Sequence, residues 1–182
     1  SQALKKGASY VISSRNNKGF KNKIIKVKNE IKFLNKLATM KRDNNNAKIC
    51  AITGSAGKTT LKNLINDLLK NFGKTYCSPR SYNNHFGVPI SLTQLKTEHN
   101  YGVFEVGMNK KGEINTLSKI IKPDIAIITN IGEAHIENFK NLKGIADAKS
   151  EIIQNIKKSG TIILNRDDKY FHYLNNLNFC HF

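Results

Sequence analysis

An α/β fold, a mostly parallel sheet with helices on both faces, is what this sequence predicts, and three observations predict it. From Lys48 onward, short apolar runs alternate with stretches of helical periodicity. A turn carrying Gly54 and Gly57 joins one such run directly to the helix that follows. Residues suited to phosphate and metal chemistry (Lys58, Thr59, Glu105, His135) stand where loops leave the expected strands, at the sheet end where α/β ligands bind.

Residues Gln2 to Ala8 read as the end of a helix, and Tyr10 to Ser13 and Lys23 to Val27 as short strands about a polar Arg15 to Gly19 turn. They are too few for a domain. A helix is expected from about Asn29 to Arg42, with Ile31, Leu34 and Leu37 on one face and Phe33 and Met40 beside it, and the polar Asp43 to Asn46 segment ends it. Strands are then expected near Ile49 to Thr53, Thr75 to Cys77, Tyr101 to Val106, Asp124 to Thr129 and Thr161 to Asn165. The intervening helices run near Thr59 to Phe72, Pro89 to Leu95, Glu113 to Ile121 and Leu142 to Lys158. In the first of these, Leu61, Leu64, Ile65, Leu68, Leu69 and Phe72 recur at helical spacing, and Gly73 follows as a stop.

A chain of 182 residues buries a real core, roughly 70% of its unfolded surface. Its 30 Lys+Arg against 13 Asp+Glu give a net charge of +17, which invites a nucleic-acid reading. The lysines are dispersed over helix faces and loops among many asparagines, without the dense basic block and interleaved aromatics of a stacking platform. No nucleic-acid partner is therefore expected, and the same field would steer a small polyanion inward. The three cysteines, Cys50, Cys77 and Cys180, are far apart and odd in number, so neither a disulfide framework nor a zinc site is indicated and the expected setting is the cytoplasm. No apolar stretch approaches the roughly 18 residues of a membrane span. The first residue is Ser1 rather than Met, as in a piece excised from a longer protein.

Ala51-Ile-Thr-Gly-Ser-Ala-Gly-Lys-Thr-Thr60 reads as a phosphate-binding loop. Glycines let the backbone take positive φ and turn its N–H groups toward phosphate oxygens at a helix N-terminus. Lys58 adds a mobile charge for the β and γ phosphates, and the Thr59 hydroxyl is placed to ligate Mg²⁺. The usual G-x-x-x-x-G-K-[ST] pattern would need glycine at 52, where this chain has Ile52, so the match is to the shorter G-x-x-G-K-T. The bland alternative is a plain βα turn.

Three further stretches flank expected strand ends. In Phe104-Glu105-Val106-Gly107 a carboxylate interrupts an apolar strand, which a metal with Thr59 would explain and an edge strand facing solvent would explain otherwise. In Ile127 to His135 a strand opens into a loop ending at a histidine, which could hold a metal or phosphate or neither. In Ala146-Asp-Ala-Lys149-Ser-Glu151 the ordinary expectation for Lys149 is an exposed helix residue. His85, His99, His172 and His181 have no supporting context.

Together these stretches resemble the Mur ligases, the ATP-dependent amide-forming enzymes of peptidoglycan precursor synthesis, and within them the F-type branch. The resemblance rests on residues 52–60, Asn83-Asn-His-Phe-Gly-Val-Pro-Ile90, Glu105-Val-Gly-Met-Asn-Lys-Lys-Gly-Glu-Ile114, residues 122–135, Gly144-Ile-Ala-Asp-Ala-Lys-Ser-Glu-Ile152 and Leu164-Asn-Arg-Asp-Asp168, in the family's order. It implies that Gly54, Ser55, Ala56, Gly57, Lys58, Thr59 and Thr60 bind ATP and that Thr59 and Glu105 hold a first Mg²⁺. It further implies that His135 holds a second, that Lys149 is a carbamoylated metal ligand, and that Asn83 and Asn84 lie near phosphates and substrate. Lys58, His135 and Lys149 would serve catalysis.

The implied reaction adds D-alanyl-D-alanine to a UDP-N-acetylmuramoyl tripeptide through an acyl phosphate, in a monomer. The implied domains are 1–28, the tail of an N-terminal substrate domain; 29–47, a connecting helix and linker; and 48–182, an incomplete central ATP-binding domain. The alternatives are an E-type Mur ligase, a relative of folylpolyglutamate synthase, or a nucleic-acid-binding P-loop protein.

Overall fold

A computed structural model describes residues 2–15 and 22–177. The N-terminal stretch forms α1 (Gln2–Lys5) and strands β1 (Val11–Ser13) and β2 (Ile24–Lys26), which pair in parallel as a small sheet of their own. Positions 16–19 of the expected turn lie outside the described residues, as do Cys180 and His181. Ser14 donates through its N–H and its hydroxyl to Glu30, at 2.7 and 2.8 Å, tying this stretch to the head of α2 (Glu30–Asp43). Asn29 caps α2 by accepting the Lys32 N–H at 2.8 Å.

The buried side of α2 is the expected one only in part: Ile31 and Leu34 are half-buried, and the face continues through Ala38 to Arg42 rather than to Leu37 and Met40. Ala38 and Arg42 are its buried residues, whereas Leu37 and Met40 are exposed. Arg42 decides this, because its guanidinium reaches the carbonyls of Asn45, Ala47, Ile121 and Lys122 and the carboxylate of Asp124, at 2.7 to 3.3 Å. A rigid fork of N–H donors that finds this many acceptors sets the rotation of the helix more strongly than exposed apolar groups do.

The alternating region follows as β3 (Lys48–Thr53), α3 (Lys58–Leu69), β4 (Thr75–Cys77), α4 (Gly87–Thr93), β5 (Tyr101–Glu105), α5 (Glu113–Ile121), β6 (Ile125–Ile128), α6 (Leu142–Ser150), β7 (Thr161–Leu164) and α7 (Phe171–Asn175). The strands fall close to where the apolar runs predict them. The helix expected to continue to Lys158 instead ends at Ser150 and tightens into a 3-10 turn over Glu151–Asn155. There the Glu151 carboxylate turns away to accept the N–H groups of Gly112 and Asn115 at the start of α5, at 2.7 and 3.0 Å. The short α7 has no counterpart in the sequence reading.

The main sheet is wholly parallel, in the order β4-β5-β3-β6-β7. Right-handed crossovers then dictate which face each helix takes. From β3 to β4 the chain moves in one direction, and every later connection moves in the other. Accordingly α3 packs on one face, against Cys50, Ile52, Val103 and Ile127. The larger core, with Ile49, Ala51, Phe104, Ile114, Ile128, Ile145 and Ile152, lies on the opposite face. Among the described residues α3 is the one helix on its face, and Leu64, Leu68 and Phe72, expected to be core, are 63%, 59% and 69% exposed.

Candidate functional site

Parallel pairing delivers the C-terminal ends of β3, β4, β5 and β6 to one edge of the sheet, so the loops after Thr53, Cys77, Glu105 and Ile128 converge. Behind Thr53 the chain turns at Gly54 with φ +150°, where a Cβ would lie 1.8 Å from the Thr129 hydroxyl oxygen. Gly57, at φ +78°, occupies the N-cap of α3 and offers no side-chain cap to the first-turn N–H groups, an arrangement that can receive an anion. The ammonium of Lys58 folds back to donate to the Gly54 carbonyl at 2.7 Å. Burial holds Lys58 below the ordinary lysine pKa, opposed by the charge of Glu105.

Glu105 is 2% exposed at the end of β5, opposite Ile52 of the central strand, and is therefore no edge glutamate. Its two carboxylate oxygens accept from the Thr59 hydroxyl and the Asn83 amide, each at 2.7 Å. Asn84 stands beside Asn83 but uses its carbonyl to accept the Phe86 and Gly87 N–H groups at the start of α4, at 3.1 and 2.9 Å. Thus Asn83 serves the carboxylate while Asn84 serves the helix.

Lys149 overturns the ordinary expectation for its position, being 2% exposed rather than on a solvated face. Burial first, and then the charge of Lys58, bring its pKa down to about 7. Its amine has no hydrogen-bond partner among the described residues, and it faces a cleft of about 550 Å³ that Lys58, Asn83, Asn84 and His135 also line. His135 is exposed and held in the left-handed region at φ 65°, at the end of the loop leaving β6. His85, without context in the sequence, lines the same cleft and packs against Phe86 with ring centroids 4.3 Å apart and the rings tilted by 44°. His99 instead accepts the Lys96 N–H at 2.9 Å in a turn.

Two positioning residues escape sequence reasoning altogether. Lys62, inside α3, is 1% exposed and donates to the carbonyls of Ser78 and Arg80, pinning the loop that leads to Asn83. Asn130, just past β6, accepts from the phosphate loop itself. Nothing in their residue type marks them, since lysine on a helix and asparagine in a loop are the commonest solvated residues of this chain.

A hard divalent cation fits what is present. Thr59 and Glu105 already touch, next to Lys58 and Asn83 of the cleft lining, and Mg²⁺ takes one or two protein oxygens and completes its shell with phosphate and water. Among the described residues no cluster of three or more His, Cys, Asp or Glu forms a metal cage.

The comparisons with known proteins agree with this architecture. A family model described as the Mur ligase middle domain matches residues 52–180. The UDP-N-acetylmuramoyl-tripeptide--D-alanyl-D-alanine ligase of Rickettsia prowazekii is 42% identical over 171 residues, covering 93% of this chain and 38% of that protein. A crystal structure of MurF from Acinetobacter baumannii superposes with a TM-score of 0.89 at 35% identity, covering 96% of this chain and 38% of that one. MurF ligase from Thermotoga maritima, solved in complex with ADP, gives 0.81 at 34% identity, covering 91% and 39%. The chain thus spans between 29% and 38% of the length of curated relatives it matches.

Proposed function

The chain belongs to the Mur ligase family, and from that premise we propose that it carries the phosphoryl-transfer centre of an ATP-dependent ligase joining D-alanyl-D-alanine to a UDP-N-acetylmuramoyl tripeptide. One observation carries the reading: a buried lysine of lowered pKa, Lys149, shares one cleft with Lys58 and His135, beside the Thr59–Glu105 contact. In this reading residues 48–182 belong to the central ATP-binding domain, residues 1–28 to the tail of the substrate domain, and residues 29–47 join them. The proposed setting is the cytoplasm and the proposed state a monomer. In support of the setting, no helix among the described residues is long and apolar enough to cross a membrane.

The proposed chemistry has two stages. The terminal carboxylate of the tripeptide attacks the γ phosphorus of ATP, forming an acyl phosphate and releasing ADP. The amine of D-alanyl-D-alanine then attacks the acyl carbon, and inorganic phosphate leaves with the bonding pair. Mg²⁺, held by Thr59 and Glu105 and, at a second position, by His135 and a carbamate on Lys149, would supply charge neutralisation on the phosphoryl oxygens. The protein groups do the rest. The amides at the head of α3 receive phosphate oxygens, and Lys58 leaves the Gly54 carbonyl to follow the transferred group. Asn83 keeps the Glu105 carboxylate aimed, and the cleft walls hold the carboxylate in line.

In the ligase proposed here, Lys58→Ala is expected to lower amide formation by a factor on the order of 10², the loss of one preorganised transition-state donor. Near-normal turnover in that variant would remove the loop from the mechanism. Offering D-alanyl-D-alanine against other amino donors decides the branch of the family.

A further inference from the structure

The phosphate loop of this chain is short, and its front half is not free. Asn130 Oδ1 accepts two successive backbone N–H groups, from Ser55 at 3.0 Å and Ala56 at 2.9 Å. Successive N–H groups converging on one oxygen form the kind of nest that binds anions. Here a neutral carboxamide from the neighbouring loop fills it.

The contact is one of a set. The Thr129 hydroxyl donates to the Ala56 carbonyl at 2.7 Å. The Ser55 hydroxyl donates to the Gly132 carbonyl at 2.9 Å and accepts the Gly132 N–H at 2.8 Å. The Ile131 N–H is held by the Asp168 carboxylate at 2.7 Å, which anchors the far side of the segment beyond β7. Segment 129–132, which leads on to His135, is therefore laced to residues 55–56, while the amides that open α3 carry no side-chain cap.

We propose that Asn130 is a positioning residue for the nucleotide: its carboxamide clamps the front of the phosphate loop, reserves the amides at the head of α3 for phosphate, and holds the loop in register with the segment bearing His135. The clamp also accounts for how a loop lacking the usual glycine at position 52 keeps its shape. Where a longer loop wraps a phosphate with its own backbone, this one is braced from β6. The proposal rests on the nucleotide reading above.

The test is made on the whole chain with Mg-ATP as the probe, alongside amide hydrogen exchange. The Ala56 amide is the reporter, because the Ser55 N–H also has the Asn130 main-chain carbonyl, at 3.0 Å. In Asn130→Ala, Ala56 exchange is expected to accelerate and Mg-ATP affinity to fall roughly tenfold, the scale of one hydrogen bond. Lys58→Ala is expected to lose affinity with Ala56 still protected. Asn130→Asp keeps an acceptor for both N–H groups, so protection should return, while its added charge beside the phosphates weakens binding, more so at low salt. This variant carries the test if the alanine variant fails to fold. A folded Asn130→Ala with wild-type affinity, or an Asn130→Asp that binds as tightly as wild type at low salt, overturns the proposal. A wild-type chain that binds no Mg-ATP overturns the nucleotide reading instead, and the positioning role with it.

Discussion

At the scale of single residues, the decisive one is Lys149. An amine with a pKa of about 7 is substantially neutral at pH 8, when solvated lysines near 10.4 are not. It is therefore expected to react with CO₂ selectively. Labelling with ¹³C-bicarbonate should give a carbamate signal that rises through pH 7 and that Lys149→Arg abolishes; a signal unchanged in the arginine variant would return Lys149 to a structural role. The same shift has a consequence for stability. Between pH 7 and 10.5 the unfolded chain holds a proton on this residue that the native chain lacks, so native stability rises with pH across that window and the full penalty applies below it. In CO₂-free buffer Lys149→Met should raise the melting midpoint at pH 6 and lose that advantage above about pH 10.

At the scale of elements, α2 is joined through Arg42 to Asp124, the residue that leads into β6. Burial alone would raise the Asp124 carboxyl, but the Ile49 N–H bond, then Lys157 and Arg42, outweigh it and hold it below the ordinary carboxylate range. Its stabilisation is thus fully present above the unfolded value near 3.9 and is lost as pH falls below that. Removing Arg42 leaves Asp124 its Ile49 N–H and Lys157 partners but takes the guanidinium from the carbonyls of Asn45, Ala47, Ile121 and Lys122, so Arg42→Ala should cost about 3 kcal/mol, read from urea midpoints at neutral pH. A loss under about 1 kcal/mol would show that water substitutes for the guanidinium. In α3 the contrast runs the other way. Leu68→Lys, on the exposed side, should change stability by no more than about 0.5 kcal/mol, whereas Ile65→Ala, packed on the sheet, should cost roughly 2 kcal/mol.

At the scale of the whole molecule, the net charge of +17 sets a positive field around the sheet edge where nucleotide binding is proposed. The cleft lining gathers the amino groups of Lys58, Lys110, Lys111 and Lys149 and the amides of Asn83, Asn84 and Asn109 against the carboxylate of Glu113. In the nucleotide reading proposed above, binding is expected to depend on phosphate. Inorganic tripolyphosphate should displace Mg-ATP at comparable concentration, and adenosine should not. Displacement by adenosine alone would place a base subsite within these 182 residues.

The sequence alone determined the fold class and the strand positions and marked the glycine turn before α3, while roles for Glu105 and His135 came only as what the family resemblance implies. Those features are local: apolar runs, helical periodicity and a glycine turn act within a dozen residues, and parallel strands read as apolar wherever they sit. Only the tertiary structure decided that Lys149 is buried, that Asn130 braces the loop, that Arg42 rather than Leu37 and Met40 faces the core, and that one side of α3 is bare. Each of these depends on a partner tens of residues away, or on the direction of a crossover. A lysine is solvated or functional according to what the folded chain sets around it, and nothing in its own neighbourhood of sequence carries that information.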